Sequence, residues 1–413
     1  MRFKSRRNAS GQVFAVTGTN TVSFGIAASD QALDGLLGFA VERTDEASGR
    51  TRWLPGFKVF RSVVPQPAPE LRVSTFDHPV QSLSWDDFTA AAGATYRYRF
   101  QPVKGTPGAL ARPGPALTVR VRTEALVDGT HDVFFNRGVA SSQAYVREFG
   151  TAPIATLPDA DRTRALAWLS RDLDEAMIRF VDACEPGDTL LGCFYEFRYL
   201  PVAERLRAAL DRGVDLRLVY DGKQDEHGFP GRDNEETRVE AGIPEGVRTL
   251  RLARPSAIPH NKFMVRMVGG QQPTEVWTGS TNLSLGGISG QTNVGHWVRD
   301  PAVAARYRDY WELLSDDPGG RKDDPAAVKT AKNKALKAGV EALSPLPPDL
   351  GDLPVGTTVA FSPRTTFDLL DHYAALLDRS DRQACLTLAF GVDPRFKALL
   401  ADNTAQDLSL IHI

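Results

Sequence analysis

Cysteine is scarce in this chain: three in 413 residues, Cys184, Cys193 and Cys385, each in or beside an apolar run. So sparse and odd a count argues against a disulfide framework and points to buried thiols in a reducing compartment. No Cys/His spacing suggests a zinc site. Long apolar runs are absent as well, so no membrane-spanning helix is expected. The basic start, Met1 to Arg7, runs into Asn8 to Gly11, where an export signal needs its apolar core; no such signal is expected, and the location predicted is cytoplasmic. Net charge of either sign is also missing. Lys and Arg number 49 against 51 Asp and Glu, a formal charge of -2, so no global basic field draws the chain to polyanions. Any such pull is local.

A chain of 413 residues predicts two or three domains. Residues 1–125 read as all-β. Runs at Val13 to Val16, Leu37 to Val41, Gly56 to Phe60 and Leu117 to Val121 lie between Gly, Pro, Asp and Ser turns. Tyr96, Tyr98 and Phe100 alternate with Arg97 and Arg99, which turns the rings to a core and the guanidinium groups to water. The pattern is that of a β-sandwich and resembles a fibronectin type III or immunoglobulin-like module, with Tyr96 or Tyr98 as its tyrosine corner and Trp85 as a core aromatic.

Residues 126–317 read as α/β. Asn136 and Arg137 precede a Ser-capped helix and either face a ligand or, as the plainer reading, only lead into it. The stripe Leu166, Leu169, Leu173, Ala176, Met177 and Phe180 predicts one helix over 161–183. A strand at Thr189 to Tyr195, a helix at Val202 to Leu210 closed by Gly213, and a strand at Val214 to Tyr220 make a β-α-β unit. Strands at Val247 to Leu252, around His260 and at Val294 to Val298 extend it into a mixed sheet covered by helices. Asp221 opens a polar, mobile loop through Asn234, in which His227 reads as solvated. Residues 318–351 read as a linker with a helical patch at Ala326 to Leu343. Residues 352–413 restart the earlier order with a helix at Phe367 to Leu377, a strand at Cys385 to Phe390 and a helix at Asp393 to Leu400, as the beginning of a second half. Leu408 to Ile413 does not fit the polar turn before it, so a truncated reading frame is expected, His412 is no catalytic candidate, and self-association through an open sheet edge follows.

The chemistry gathers at Ile258 to Val265, which contains His260 and Lys262, and at the turn Gly279-Ser280-Thr281-Asn282. Along a strand, residues two apart share a face, so His260 and Lys262 project together while Phe263 and Val265 enter the core. A nucleophile beside a fixed positive charge, next to a turn offering a hydroxyl, an amide and backbone N–H groups, reads as a phosphate site. Gln291 and Asn293, in a flexible loop from Gly286, either reach the phosphate or serve the turn. H-x-K followed by G-S-x-N resembles the phospholipase D superfamily, whose motif is H-x-K-x4-D and whose chains usually carry two copies. The resemblance implies an α/β phospholipase D-like fold and a phosphodiesterase without metal or cofactor. His260 would form a phosphohistidine; Lys262, Ser280 and Asn282 would hold the non-bridging oxygens, with Gly279, Gln291 and Asn293 beside them. A second histidine would come from a second motif or, in a homodimer, from a second subunit.

The chain departs from the family pattern in two places. The motif's Asp falls at Met267, and the later Asn-x-Glu reads Asn293-Val294-Gly295. Both carboxylates that would orient the imidazole are missing, with Glu196 and Asp221 at strand ends as replacements. The substrate implied is a phospholipid or related phosphodiester. The alternative is nucleic acid, for which Arg248, Arg251, Arg254 and Arg266 are the local basic supply, although they alternate with apolar residues as on any exposed strand. A third reading is a degenerate domain that binds phosphate groups without cleaving them.

Overall fold

The computed structural model describes residues 1–68, 71–127, 129–140, 142–253, 259–347, 355–379 and 391–401. The chain divides into two compact units, residues 1–132 with 141–158, and residues 133–140 with 159–413.

Alternation organises the first unit. Arg2–Lys4, Gln12–Thr17, Val22–Ala27 and Ser84–Asp87 form one antiparallel sheet in that order. In a second, the long strand Thr95–Thr106 lies between Gly38–Asp45 and Leu117–Arg122. Val13 and Phe24 of the first sheet share one core with Phe39, Tyr98, Phe100 and Val119 of the second. Tyr96, Tyr98 and Phe100 are buried and Arg97 is exposed, as the alternation requires. The Tyr98 hydroxyl donates to Asp87 at 2.8 Å, and Arg43 pairs with the same carboxylate at 2.7 Å. The Tyr96 hydroxyl accepts the Ala91 N–H at 2.9 Å. Trp85 is half-buried and stacks on Phe24. The strand expected over Gly56 to Phe60 is only Pro55–Gly56, paired with Val73–Ser74, and Phe57 is 74% exposed. Pro65 and Pro67 follow, and a segment short of N–H donors cannot extend a ladder.

The second unit is built on seven strands in the order His131–Phe135, Val294–Val298, Gln272–Gly279, Lys262–Val268, Thr189–Phe194, Asp215–Asp221, Arg248–Arg251. The last three run parallel to one another, and Lys262–Val268 is antiparallel to both its neighbours. Every residue of Thr189–Phe194 is buried, as befits a strand covered on both faces. Leu191, Cys193, Val265 and Val276 form a core with Val303, Trp311 and Leu314 of the helix Pro301–Ser315. The helix Ala326–Leu343, within the stretch read as a linker, adds Leu336 and Val340 to that core. The single helix expected over 161–183 is two, Asp159–Ser170 and Leu173–Asp182, broken where Arg171 and Asp172 take φ of 51° and 70°. The Ser170 hydroxyl accepts the Asp174 N–H at 3.0 Å, and such a local side-chain bond competes with continuous helix. Leu169, Leu173, Ala176, Met177 and Phe180 stay buried across the break.

Cys184 and Cys193 are buried and unpaired, and desolvation pushes both thiols up to about 12. Helices at Asp368–Asp378 and Pro394–Ala401 follow. Arg254, Ile258, the expected strand Cys385 to Phe390 and the segment Leu408 to Ile413 lie outside the described residues. No described helix is long and apolar enough to cross a membrane.

Candidate functional site

Three segments meet at one end of the central strands of the second unit's sheet. Thr189–Phe194 ends there, Lys262–Val268 begins there with Lys262 opposite Phe194, and Gln272–Gly279 ends there with Gly279 opposite Gly295. Residues 195–198, 260–261 and 280–285 are thereby neighbours. The Tyr195 N–H donates to the Asn261 carbonyl at 2.8 Å, and the Arg198 N–H to the Leu283 carbonyl at 2.8 Å. Asn234, fully buried, donates to the carbonyls of Tyr195 (3.0 Å) and Asp221 (2.9 Å) and accepts the Phe197 N–H at 2.7 Å. It sits in the helix Gly231–Glu240, which begins within the stretch expected to be a mobile loop. Asn261 donates to the Tyr310 hydroxyl at 3.0 Å, which fixes the residue between His260 and Lys262.

His260 stands in the approach to the strand, not in it, with its ring exposed and 5.1 Å from that of Tyr195. Lys262 opens the strand, is only 8% exposed, and donates from Nζ to the His260 carbonyl at 2.9 Å. Burial lowers its pKa from 10.5 to about 8, against the pull of the Glu196 carboxylate. Lost hydration against its neighbours and the charge of Lys262 hold His260 below its ordinary 6.5, again with Glu196 opposing. Near neutral pH the imidazole is therefore unprotonated beside a charged ammonium.

Glu196 is buried, accepts from Asn282 Nδ2 at 2.7 Å and from Arg198 Nε at 2.8 Å. Asn282 Oδ1 is left buried without a hydrogen-bond partner. The other proposed replacement carboxylate, Asp221, accepts the Lys223 N–H at 2.9 Å. The carboxylate whose charge acts on both His260 and Lys262 is Glu196.

The remaining expected residues serve the turn. Gly279 has φ 142°, and a Cβ there would lie 2.2 Å from the Val294 carbonyl oxygen. Ser280 Oγ donates to Asn293 Oδ1 at 2.8 Å and accepts the Val294 N–H at 3.1 Å. Asn293 Nδ2 donates to the Gly287 carbonyl at 2.8 Å, and Gln291 is exposed. The stretch expected to be a flexible loop holds a helical turn, Gly286–Gly290. Asn136 pins it, donating to the carbonyls of Ile288 and Gln291 at 2.7 Å each and accepting the Asn293 N–H at 2.6 Å. Arg137 donates to the Trp168 carbonyl at 2.6 Å and lies over that ring, so Asn136 and Arg137 both face inward, as the plainer reading has it.

The two lost carboxylates have physical explanations. Met267 is buried in the core with Val265 and Val303. A Cβ at Gly295 would sit 2.4 Å from the Trp277 ring, which fills the room a glutamate needs. Of the four arginines weighed as a basic patch, the three that are described are paired: Arg248 with Glu235 and Glu245, Arg251 with Asp317, Arg266 with Asp188. Among the described residues no group of three or more His, Cys, Asp or Glu could hold a metal ion.

Residues 177–314, which carry all of these groups except Asn136, Arg137, Trp168 and Asp317, match the family described as Cardiolipin synthase, PLD-like domain. The match places a PLD-like domain in this stretch of the chain. Among solved structures, Nuc from Salmonella typhimurium, a phospholipase D family member, is 22% identical over 34% of this chain and 84% of its own, with a TM-score of 0.27. NucT from Helicobacter pylori is 15% identical over 36% of this chain and 90% of its own, with a TM-score of 0.29. TrmBL2, an archaeal chromatin protein with a novel mode of DNA binding, is 14% identical over 36% and 49%, with a TM-score of 0.25. No curated protein matches the chain in sequence.

Proposed function

We propose that this chain is a phosphodiesterase in which a ring nitrogen of His260 attacks phosphorus. The observation that carries the reading is the exposed imidazole held next to the buried Lys262 ammonium, with Glu196 acting on both. A P–N bond forms as the P–O bond to the leaving group breaks. Lys262 stabilises the charge that builds on the non-bridging oxygens, where a desolvated cation is worth more than in water. Glu196 takes over from the absent motif carboxylates, favouring protonated Lys262 and stabilising positive charge on His260. Water then releases the phosphoryl group.

The chain contains a single H-x-K. A proton for the leaving oxygen comes, in this reading, from the partner's His260 across a two-fold axis, which makes the working form a homodimer. The β-rich first unit is, in the same reading, a fibronectin III or immunoglobulin-like module that binds or packs rather than catalyses. The test is hydrolysis of methyl p-nitrophenyl phosphate by the chain and by His260→Ala, with light scattering on the same samples. Turnover by a dimer, lost on substitution, is expected; equal turnover by both proteins would refute the reading.

A further inference from the structure

A cavity of 680 Å³ adjoins the site. Tyr195, whose ring lies 5.1 Å from that of His260, is also part of the cavity wall. A diester with its phosphorus at His260 therefore has one substituent directed past this ring. Volumes of about 300–1,000 Å³ are usual for small-ligand sites. Phe229 stands perpendicular to Tyr195, ring centroids 6.1 Å apart at 87°, and the Arg198 guanidinium lies 4.9 Å over it. Asp225 accepts the Phe229 N–H at 2.8 Å and so holds that ring in place. Lys223, Arg321 and Lys322 line the same space together with the carboxylates of Asp225 and Asp323, and Arg321 is paired with Asp317 at 3.0 Å. Among the described residues, Leu252 and Pro230 are its only aliphatic contributions, a poor lining for an acyl chain.

We propose that this cavity is a subsite for one nucleotide of a single-stranded nucleic acid, the base against Tyr195 and Phe229 and a flanking phosphate near Lys223 and Lys322. The orientation rests on the phosphodiesterase reading above; the ring-and-cation lining does not. Rings stack on any base face, and lysines on a backbone give affinity without sequence preference. The experiment is fluorescence-anisotropy titration of a labelled single-stranded deoxyoligonucleotide with the full chain, Phe229→Leu and Lys322→Ala. Phe229→Leu keeps apolar volume without a ring face, and Lys322 is exposed, so the second variant leaves packing untouched. Binding should weaken roughly tenfold with Phe229→Leu, the loss of about one stacked base. Lys322→Ala should lower the slope of log affinity against log salt by about 0.7. No binding, binding indifferent to both substitutions, or preference for anionic phospholipid vesicles over the oligonucleotide would overturn the proposal. Hydrolysis of methyl p-nitrophenyl phosphate on the same samples separates the two readings. Ring-dependent binding without turnover sinks the phosphodiesterase and keeps the subsite, whereas turnover with binding blind to Phe229 does the reverse.

Discussion

Replacing Lys262 by methionine should stabilise the protein while disabling its site. A fall in pKa from 10.5 to about 8 on burial corresponds to about 3 kcal/mol in favour of the neutral amine. Between those two values the folded chain binds fewer protons than the unfolded one, so stability rises with pH across that window, and at pH 7 the whole penalty is present. Methionine matches the shape of the lysine stem and brings no charge. Glu196 keeps its bonds to Arg198 and Asn282, so it is not left unpaired by the change. Allowing for the lost attraction to Glu196, the net gain at pH 7 is about 1–2 kcal/mol, or about 2–4 °C in Tm for each kcal/mol in a unit of this size. Thermal unfolding of both proteins at pH 7 and pH 10 reads the effect. The gap should be open at pH 7 and nearly closed at pH 10, and inorganic phosphate should raise the Tm of the parent alone. A Lys262→Met variant less stable than the parent at pH 7, or a gap indifferent to pH, would show that Lys262 is not held at a cost to stability.

Three other perturbations probe the same end of the sheet. Turnover needs one His260 unprotonated and the partner's His260 protonated, so it should peak below pH 6.5 and fall on either side, and Glu196→Gln, which removes the charge that favours protonated His260, should move the peak to lower pH; a peak that stays where it is would leave Glu196 without a role. Gly295→Ala pushes a Cβ to 2.4 Å from the Trp277 ring, so unfolding free energy should fall by about 1–3 kcal/mol in a denaturant titration, and an unchanged midpoint would show slack around that ring. Asn136→Ala removes the peg from the 286–290 turn and should cost about 1–3 kcal/mol together with weaker phosphate protection in the same thermal assay, because Asn293 and through it Ser280 lose their support.

The pattern of the sequence singles out the residues proposed to carry the chemistry and conceals those that hold them. His260, Lys262 and the Gly279 turn are visible because reactive types at set spacings stand out from an apolar run, and the flanking strands follow from continuous burial. The break at Arg171 and Asp172 is hidden because the apolar stripe keeps its phase across two helices. Asn234 gives no signal at all, since a buried amide in the polar run Gly231–Glu240 looks like any surface asparagine. Asn136 leaves both readings open, and the deciding fact, a turn 155 residues downstream, is not local. Glu196 is noticeable for its place at a strand end, while its action on His260 and Lys262 depends on the antiparallel return of the chain at Lys262.

Asn136 also bears on how the molecule comes into being. Its bonds close loops of 152, 155 and 157 residues, and the Asn282–Glu196 bond closes one of 86. Closures of that length form only after the intervening sheet exists, because chain entropy opposes them until neighbouring strands have docked. The part of the sheet proposed to bind phosphate is thus completed late, after the folding barrier has been crossed. Substitutions there should leave the folding rate nearly untouched and appear instead as faster unfolding, shortening the life of the finished site.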